Sequence, residues 1–446
     1  MKKGMFFALA ASSLLFSACS SDDAVVSTVG QNEAVQQIVL QVASSGDGLT
    51  TRAGRPLYSS QALQTIQHVR VLIYDTATKK IVKDEKLDWT KSLTYTNHGR
   101  QLTFNYKGDK RLEAGSYKVM AVGYSEGSDY TYALDVKGQA DLTGSTYSDI
   151  TATLEAGKEA EEVFAGDADL KIGDDKKITN LTTGEENGVA VTLHRQVAGS
   201  FGYFQNIPAS VNGKAAATLR LVVRGKNDVL TFNNFNSSFT TTGNTIKHCV
   251  NGSTSTGEAL ATTDKFSNGD NGYVLYSIDL KKWFPQLDEN GDGLLNAEDA
   301  SWNHPGDVKT QVVKGSVFGS NFVIPFKLTS GKSTMELQLL DNAGDIIKTW
   351  TVSIPEVNSN TENGNVADES ASIFNVVRNH MYNLGVKTSN GTPTDPDPSK
   401  PTPDPDPDKP TPDPGKDEPE DLTKSQNLIL KVNDNWETIH KLVLGD

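Results

Sequence analysis

The chain has 446 residues, enough for two to three domains, and 36% of them are hydrophobic, which supports packed cores but not a series of membrane spans. Its formal net charge of −14 argues against nucleic acid and against anionic membrane surfaces as partners. About half of that imbalance lies between Thr392 and Asp421, where ten Asp/Glu face three Lys, so the remainder is only mildly acidic.

The first residues carry an export signal. Lys2 and Lys3 form a positive start, Met5 to Phe16 form an apolar run too short to span a bilayer, and Ser17-Ala18-Cys19 is a small-residue cleavage site ending in cysteine. A signal that ends on Cys resembles a bacterial lipobox, with Phe16 standing where Leu is usual. In such a signal the thiol takes a diacylglycerol before cleavage. The acidic Ser20-Ser21-Asp22-Asp23 that follows resembles the surface-export signal of Bacteroidetes lipoproteins. Residues 1–18 are therefore expected to be a signal peptide and Cys19 the lipidated residue. The precursor would then be an outer-membrane lipoprotein exposed on the cell surface, with the lipoprotein-processing machinery among its partners. Cys249 is the only other cysteine, so no intramolecular disulfide is expected and stability must come from packing.

After the signal, short runs rich in Val, Ile, Thr and aromatics alternate with Gly/Asn/Asp/Ser turns, the pattern of an all-β sandwich chain. Expected strands are 37–42, 69–74, 117–122, 217–223, 273–278, 322–326 and 335–340. Several alternate apolar with polar residues, so one face meets a core and the other meets water. A domain break is placed near 185–189, where Gly184-Glu185-Glu186-Asn187-Gly188 separates two strand-rich halves. The expected order is an N-terminal segment with a removable first strand (19–52) and an N-terminal sandwich (53–188), then a C-terminal sandwich (189–390).

In the second half, Asp288 to Asp299 matches a twelve-residue calcium loop of EF-hand or dockerin type. Asp288, Asn290, Asp292, Asn296 and Asp299 fall at positions 1, 3, 5, 9 and 12, and Leu294 offers its carbonyl at position 7. Gly293 supplies the sharp turn and Leu295 packs inward. A single copy points to a structural Ca2+ rather than a regulatory pair. The competing reading is an acidic turn with Asn296 capping a short helix.

Residues 391–421 change abruptly to Pro-Thr-Asp repeats and hold eleven of the chain's 17 prolines. Such a segment favours extended polyproline II and reads as a spacer able to reach on the order of 90 Å. Residues 422–446 then read as one or two strands, with Leu428, Leu430 and Val432 alternating along one face and Trp436 beyond them. So short a piece cannot fold alone and must pair with a sheet edge, in this molecule or in another.

Together these pieces resemble the fimbrillins, the type V pilin subunits of Bacteroidales. The likeness rests on the order of several segments: the lipoprotein signal, Thr50-Thr51-Arg52-Ala53, Val69 to Asp75, and Leu193-His194-Arg195-Gln196-Val197-Ala198. It continues through Val376-Val377-Arg378-Asn379-His380-Met381-Tyr382-Asn383-Leu384 to Val432-Asn433-Asp434-Asn435-Trp436. Arg378, His380 and Tyr382 read as alternate residues of one strand, set there for packing. The resemblance implies two transthyretin-like, Greek-key sandwiches and cleavage by an Arg-specific protease after the first strand. It also implies polymerisation with other copies or related fimbrial subunits, the C-terminal strand of a neighbour filling the vacated groove and the polymer supporting adhesion. Arg52 is the expected cleavage point because it sits in a loop-like stretch, whereas the alternative, Arg55, precedes Pro56.

No catalytic constellation is recognised: there is no HExxH and no Gly-rich phosphate loop. The chain is not expected to be an enzyme. The alternative function is a surface lipoprotein that binds glycans without polymerising, using Trp89, Trp283, Trp302, Trp350 or Trp436 as a sugar platform.

Overall fold

The structure, a computed structural model, describes residues 35–42, 66–89, 93–96, 99–180, 188–223, 227–232, 263–306, 308, 312–324, 326–327, 335–353, 375–376, 381–386, 417–424, 427–429 and 431–433. Contacts divide the chain into Met1–Glu33, which lies outside these residues, and Ala34–Asp446.

The first large sheet uses β1 (Gln36–Val42), β2 (His68–Asp75), β3 (Ile81–Asp88), β4 (Leu93–Thr96), β5 (Gly99–Tyr106) and β6 (Gly115–Tyr124). After the short β7 (Tyr130–Tyr132) and β8 (Thr151–Leu154), it is completed by β9 (Phe164–Ile172), β10 (Ile178–Asn180) and β11 (Gly188–Arg195). Its order is β3-β2-β6-β9-β11-β1-β5-β4, with β10 on the side of β9. The sheet turns at β11, which pairs with β1 over residues 188–193 but with β9 only at His194 and Arg195. At that crossing a side chain on Gly166 would place its Cβ 1.9 Å from the Thr192 carbonyl oxygen, so only glycine lets the two backbones pass.

Alternation sorts β2 and β6 between two cores. Val69, Val71, Ile73, Val119 and Ala121 meet Ile38, Leu40, Val189, Val191 and Leu193. Leu72, Tyr74, Met120, Val122 and Tyr124 face a second cluster on the opposite side. Strands covered on both faces read as nearly continuous apolar runs, which is why Val69 to Tyr74 is so hydrophobic. Arg70 is the exception in that run. It is buried, yet fully partnered: it ion-pairs with the buried Asp84, through Nε and through Nη2 at 2.6 Å. It also donates to the carbonyls of Val136 (3.2 Å), Gly138 (2.8 Å) and Ala140 (2.8 Å). The pair thereby straps residues 136–142 across the sheet.

The second half begins with β12 (Ala198–Gln205), β13 (Ile207–Pro208), β14 (Ser210–Val211), β15 (Lys214–Ala215), β16 (Thr218–Val223), β17 (Val229–Thr231) and β18 (Tyr273–Asp279). A four-residue helix, α1 (Leu280–Trp283), is capped by Asp279, which accepts from the Lys281 N–H at 3.0 Å. Then come β19 (Leu294–Leu295), β20 (Ser316–Val323), β21 (Phe326–Lys327), β22 (Met335–Leu340), β23 (Ile346–Ser353), β24 (Asn375–Val376), β25 (Met381–Leu384), β26 (Glu420–Asp421), β27 (Asn427–Ile429) and β28 (Lys431–Asn433). Two sheets result, β20-β12-β25-β28 with β26 added on β12, and β18-β16-β22-β23-β27. The architecture is all-β, as the alternating runs predict. No helix among the described residues is long and apolar enough to cross a membrane.

Three boundaries differ from the sequence reading. Gly188–Arg195 belongs to the first sheet, so the chain enters the second only at Gln196-Val197, where the Gln196 N–H bonds the Val163 carbonyl at 2.8 Å. The halves also interlock: β17 pairs with β8, and one apolar cluster runs from Leu72 to Leu428. The expected strand at 322–326 straddles the end of β20 and the start of β21, because Pro325 has no N–H to give a ladder. Finally, the spacer is shorter than 391–421. Residues 417–421 are docked on the second half, and Leu422 is buried in the shared cluster.

Candidate functional site: the slot of the first strand

Strand β1 occupies a slot between β11 and β5. It runs parallel to β11 over six register pairs and antiparallel to β5 over six more. Ile38 and Leu40 are fully buried in the first core, and burying them contributes roughly 3–6 kcal/mol. Adjacent strands lie about 4.8 Å apart, so without β1 the β5 and β11 backbones would be about twice that distance from each other and could not pair. Over residues 188–193 β11 pairs with β1, and its pairing with β9 falls at His194 and Arg195.

The end of the slot is polar. Gln36, also fully buried, accepts the Leu112 N–H on Oε1 at 2.6 Å. Its Nε2 donates to the carbonyls of Leu112 (3.0 Å) and Lys176 (2.9 Å). Leu112 lies between β5 and β6, and Lys176 lies in the β9–β10 hairpin with φ of 64°. The two loops are tied together by the Lys176–Glu113 ion pair, which holds the exposed Glu113 carboxyl below its usual range. The Tyr117 hydroxyl donates to the Glu113 carbonyl at 3.1 Å. Nothing in the local sequence marks Gln36, because its partners lie 76 and 140 residues away.

The C-terminal segment sits on its own half. Glu420 and Asp421 pair with Phe204 and Gln205, and Glu418 exchanges two backbone bonds with Val386, at 2.7 and 2.9 Å. The Tyr203 hydroxyl donates to Asp417 at 3.3 Å, and burial helps push its pKa up to about 12. Burial alone would raise the Asp421 carboxyl, but bonds from the Thr423 hydroxyl and N–H, from Lys424 and from Asn206 outweigh it and hold the pKa down to about 2. Beyond that anchor, Asn427–Ile429 pairs with β23 in one sheet and Lys431–Asn433 with β25 in the other. Of the one or two strands expected, the described residues form two, which serve different sheets. Leu428 is buried in the shared cluster, and Val432 pairs with the buried Tyr382.

In the 288–299 loop, Asp288, Asp292 and Asp299 accept backbone N–H groups: Gly293 to Asp288 (2.9 Å), Leu294 to Asp292 (2.8 Å), Asn296 and Glu289 to Asp299 (2.9 and 3.0 Å). Asn296 also donates from Nδ2 to Asp292 at 2.7 Å, a bond that helps hold the exposed Asp292 carboxyl below its usual range. Asp299 is fully buried, and Asp288 Oδ1 is buried with no hydrogen-bond partner. Gly291 and Gly293 take positive φ, as such a turn requires. Leu294 and Leu295 form β19 against β13, fixing the loop to the second half. Among the described residues no group of three or more Asp, Glu, His or Cys is arranged to hold a metal ion. A calcium set here would draw on Asn290, Asn296 and the Leu294 carbonyl as well as the three carboxylates.

Cys19, Arg52, Arg55, Cys249, Arg378, His380, Leu430 and Trp436 lie outside the described residues. Trp89, Trp283 and Trp350 are buried and present no sugar platform, which removes most of the expected glycan surface. Trp302 is half-buried, with its indole N–H bonded to the Ser316 carbonyl at 2.9 Å.

No family model matches this chain, and no curated protein matches it. Solved structures that it resembles include fimbrial proteins of Bacteroidales. A candidate adhesin from Bacteroides ovatus is 12% identical, with 71% of this chain and 78% of that one covered and a TM-score of 0.37. The fimbrial anchor protein Mfa2 from Porphyromonas gingivalis is 10% identical, covering 78% and 90%, with a TM-score of 0.33. The tip fimbrial protein Mfa3 from Porphyromonas gingivalis, C-terminally truncated, is 9% identical, covering 78% and 94%, with a TM-score of 0.32.

Proposed function

We propose that this chain is a structural subunit of cell-surface fimbriae, made as a lipoprotein precursor and polymerised by exchange of β1 for the C-terminal strand of a neighbour. The observation that carries the reading is the placement of β1. It is the first strand among the described residues, it is held on both edges, and it is joined to β2 by residues 43–65, which include Arg52. A cut there would free β1 from the rest of the chain. The remaining sheet would have an apolar trough flanked by two rows of unpaired N–H and C=O groups, a template for strand addition.

The C-terminal segment has more to gain in such a slot than where it sits. Among the described residues its present pairings cover three residues on β23 and three on β25, whereas β1 has six on each side. In this reading Cys19 carries the lipid, Arg52 is the cleaved residue, and the 288–299 loop holds a structural calcium ion. The buried, unpartnered Asp288 Oδ1 favours that ion. The test is to treat the full chain with an Arg-specific protease and follow its size and its new N-terminus. Polymers beginning at Ala53 support the reading. A monomer that keeps β1 after cleavage at Arg52 defeats it.

A further inference from the structure

Resting on that reading, we infer that the slot selects its incoming strand, and fixes its register, through the polar pocket that Gln36 fills. The residue that would enter this pocket from another copy is Gln426.

The pocket is built of backbone. It offers one donor, the Leu112 N–H, and two acceptors, the Leu112 and Lys176 carbonyls, all satisfied by the one Gln36 amide. Only a side chain carrying an acceptor and two N–H donors on one head group answers all three. Glutamate would set a carboxylate against two carbonyls, lysine has no acceptor, and an aliphatic residue would leave three buried groups unpaired. Asparagine has the right head group on a stem one methylene shorter. The Glu113–Lys176 ion pair and the Tyr117 hydroxyl hold the two loops in place, so the pocket's geometry does not depend on Gln36 alone.

The C-terminal segment carries the matching pattern. β1 reads Gln36-Gln37-Ile38-Val39-Leu40-Gln41-Val42, and the later stretch reads Gln426-Asn427-Leu428-Ile429-Leu430-Lys431-Val432. Position by position, amide meets amide, amide meets amide, and three branched aliphatics meet three branched aliphatics. A long polar residue and then Val complete both stretches. In β1 the buried positions are Gln36, Ile38 and Leu40, which fall on Gln426, Leu428 and Leu430. Gln37 and Val39, half-buried, fall on Asn427 and Ile429. The other apolar stretch near the C-terminus, Thr438 to Leu444, has no glutamine or asparagine to offer the pocket. The incoming strand therefore runs in the direction of β1, parallel to β11 and antiparallel to β5. Ile429 then takes the place of Val39 opposite Thr103 and Ala190.

The test uses the full chain under Arg-specific proteolysis. Carrying Thr103→Cys and Ile429→Cys together, it is expected to give an intermolecular disulfide ladder between those positions. Thr103→Cys with Lys441→Cys is expected to give none. Gln426→Leu and Gln426→Glu should slow polymer growth at least about ten-fold, the second more than the first. A synthetic peptide of residues 424–434, added during cleavage, should cap growth, and the same peptide with Gln426→Leu should need at least about ten-fold more. The peptide arm stays informative if a chain variant folds poorly. Polymers linked through Lys441→Cys, or Gln426→Leu peptide and chain acting like wild type, would overturn the pocket while leaving strand exchange intact. Wild-type chain that is cut but never polymerises would sink both.

Discussion

The two ends of this fold hold strands of similar residue pattern in opposite ways. β1 is gripped along both edges in one continuous sheet, with an amide locking its first residue. The 427–433 segment is gripped on one edge at a time, by β23 and then by β25. Composition cannot account for this, since both stretches are amide-led aliphatic runs. The difference lies in the surroundings: an interior vacancy satisfies twice as many backbone groups per residue as a sheet edge. A strand's attachment is thus a property of its receptor more than of itself.

The strongest way to break the contrast is to make the slot unoccupied. Leu40→Asp would place a carboxylate in the first core, where burial without a partner costs several kcal/mol. Amide exchange should then lose protection across residues 188–193 while β16 and β22 stay protected. Equal loss in both regions would mean that the halves unfold as one. Next in size is the strap over the second face of that sheet. Arg70→Met alone should cost about 3–5 kcal/mol in denaturant unfolding, because Asp84 would be left buried and unpaired. Pairing it with Asp84→Leu should recover a large part of that loss.

The 288–299 loop, if it holds the proposed ion, gives a smaller effect, confined to the second half. Saturating calcium should raise the melting temperature by roughly 2–5 °C, and Asp292→Ala should remove the rise. An unchanged melting temperature on adding calcium and then chelator would reduce the loop to a turn.

The smallest effect concerns the weaker grip. Asp421 has a usual carboxyl value of 3.8, lowered to about 2 in the fold. Its contribution is therefore complete above about pH 4 and fades as the pH falls towards 2. Protection of residues 417–424 should fall over that window, and Asp421→Asn should flatten the dependence. For the donor to reach another copy this anchor must let go as well, leaving residues 391–424 as the tether. Truncation at Gly391 is a poor probe of donation, because it also strips Leu422 and Leu428 from the shared core.

The all-β class, β1, β2 and β6 are legible in the sequence because period-two alternation and doubly buried apolar runs are local signals. The loop at 288–299 is legible for the same reason, its residues being contiguous. Gln36, Arg70 and the β17–β8 link are not, since each depends on partners brought from far along the chain. The domain break was displaced because an acidic, Gly-containing stretch marks a turn equally well inside a domain and between two. The likeness of 426–432 to 36–42 is written in the sequence throughout. It gains meaning only when the pocket beneath Gln36 shows which of its positions matter.

Being flanked on both sides has a mechanical consequence. A pull along the axis of a strand in the β1 slot loads the bonds to β5 and β11 in shear, so the six pairs on each side resist together. A pull on the edge pairings of β27 or β28 opens three pairs in succession, like a zipper. The same seven-residue pattern is thus a latch in one place and a rivet in the other.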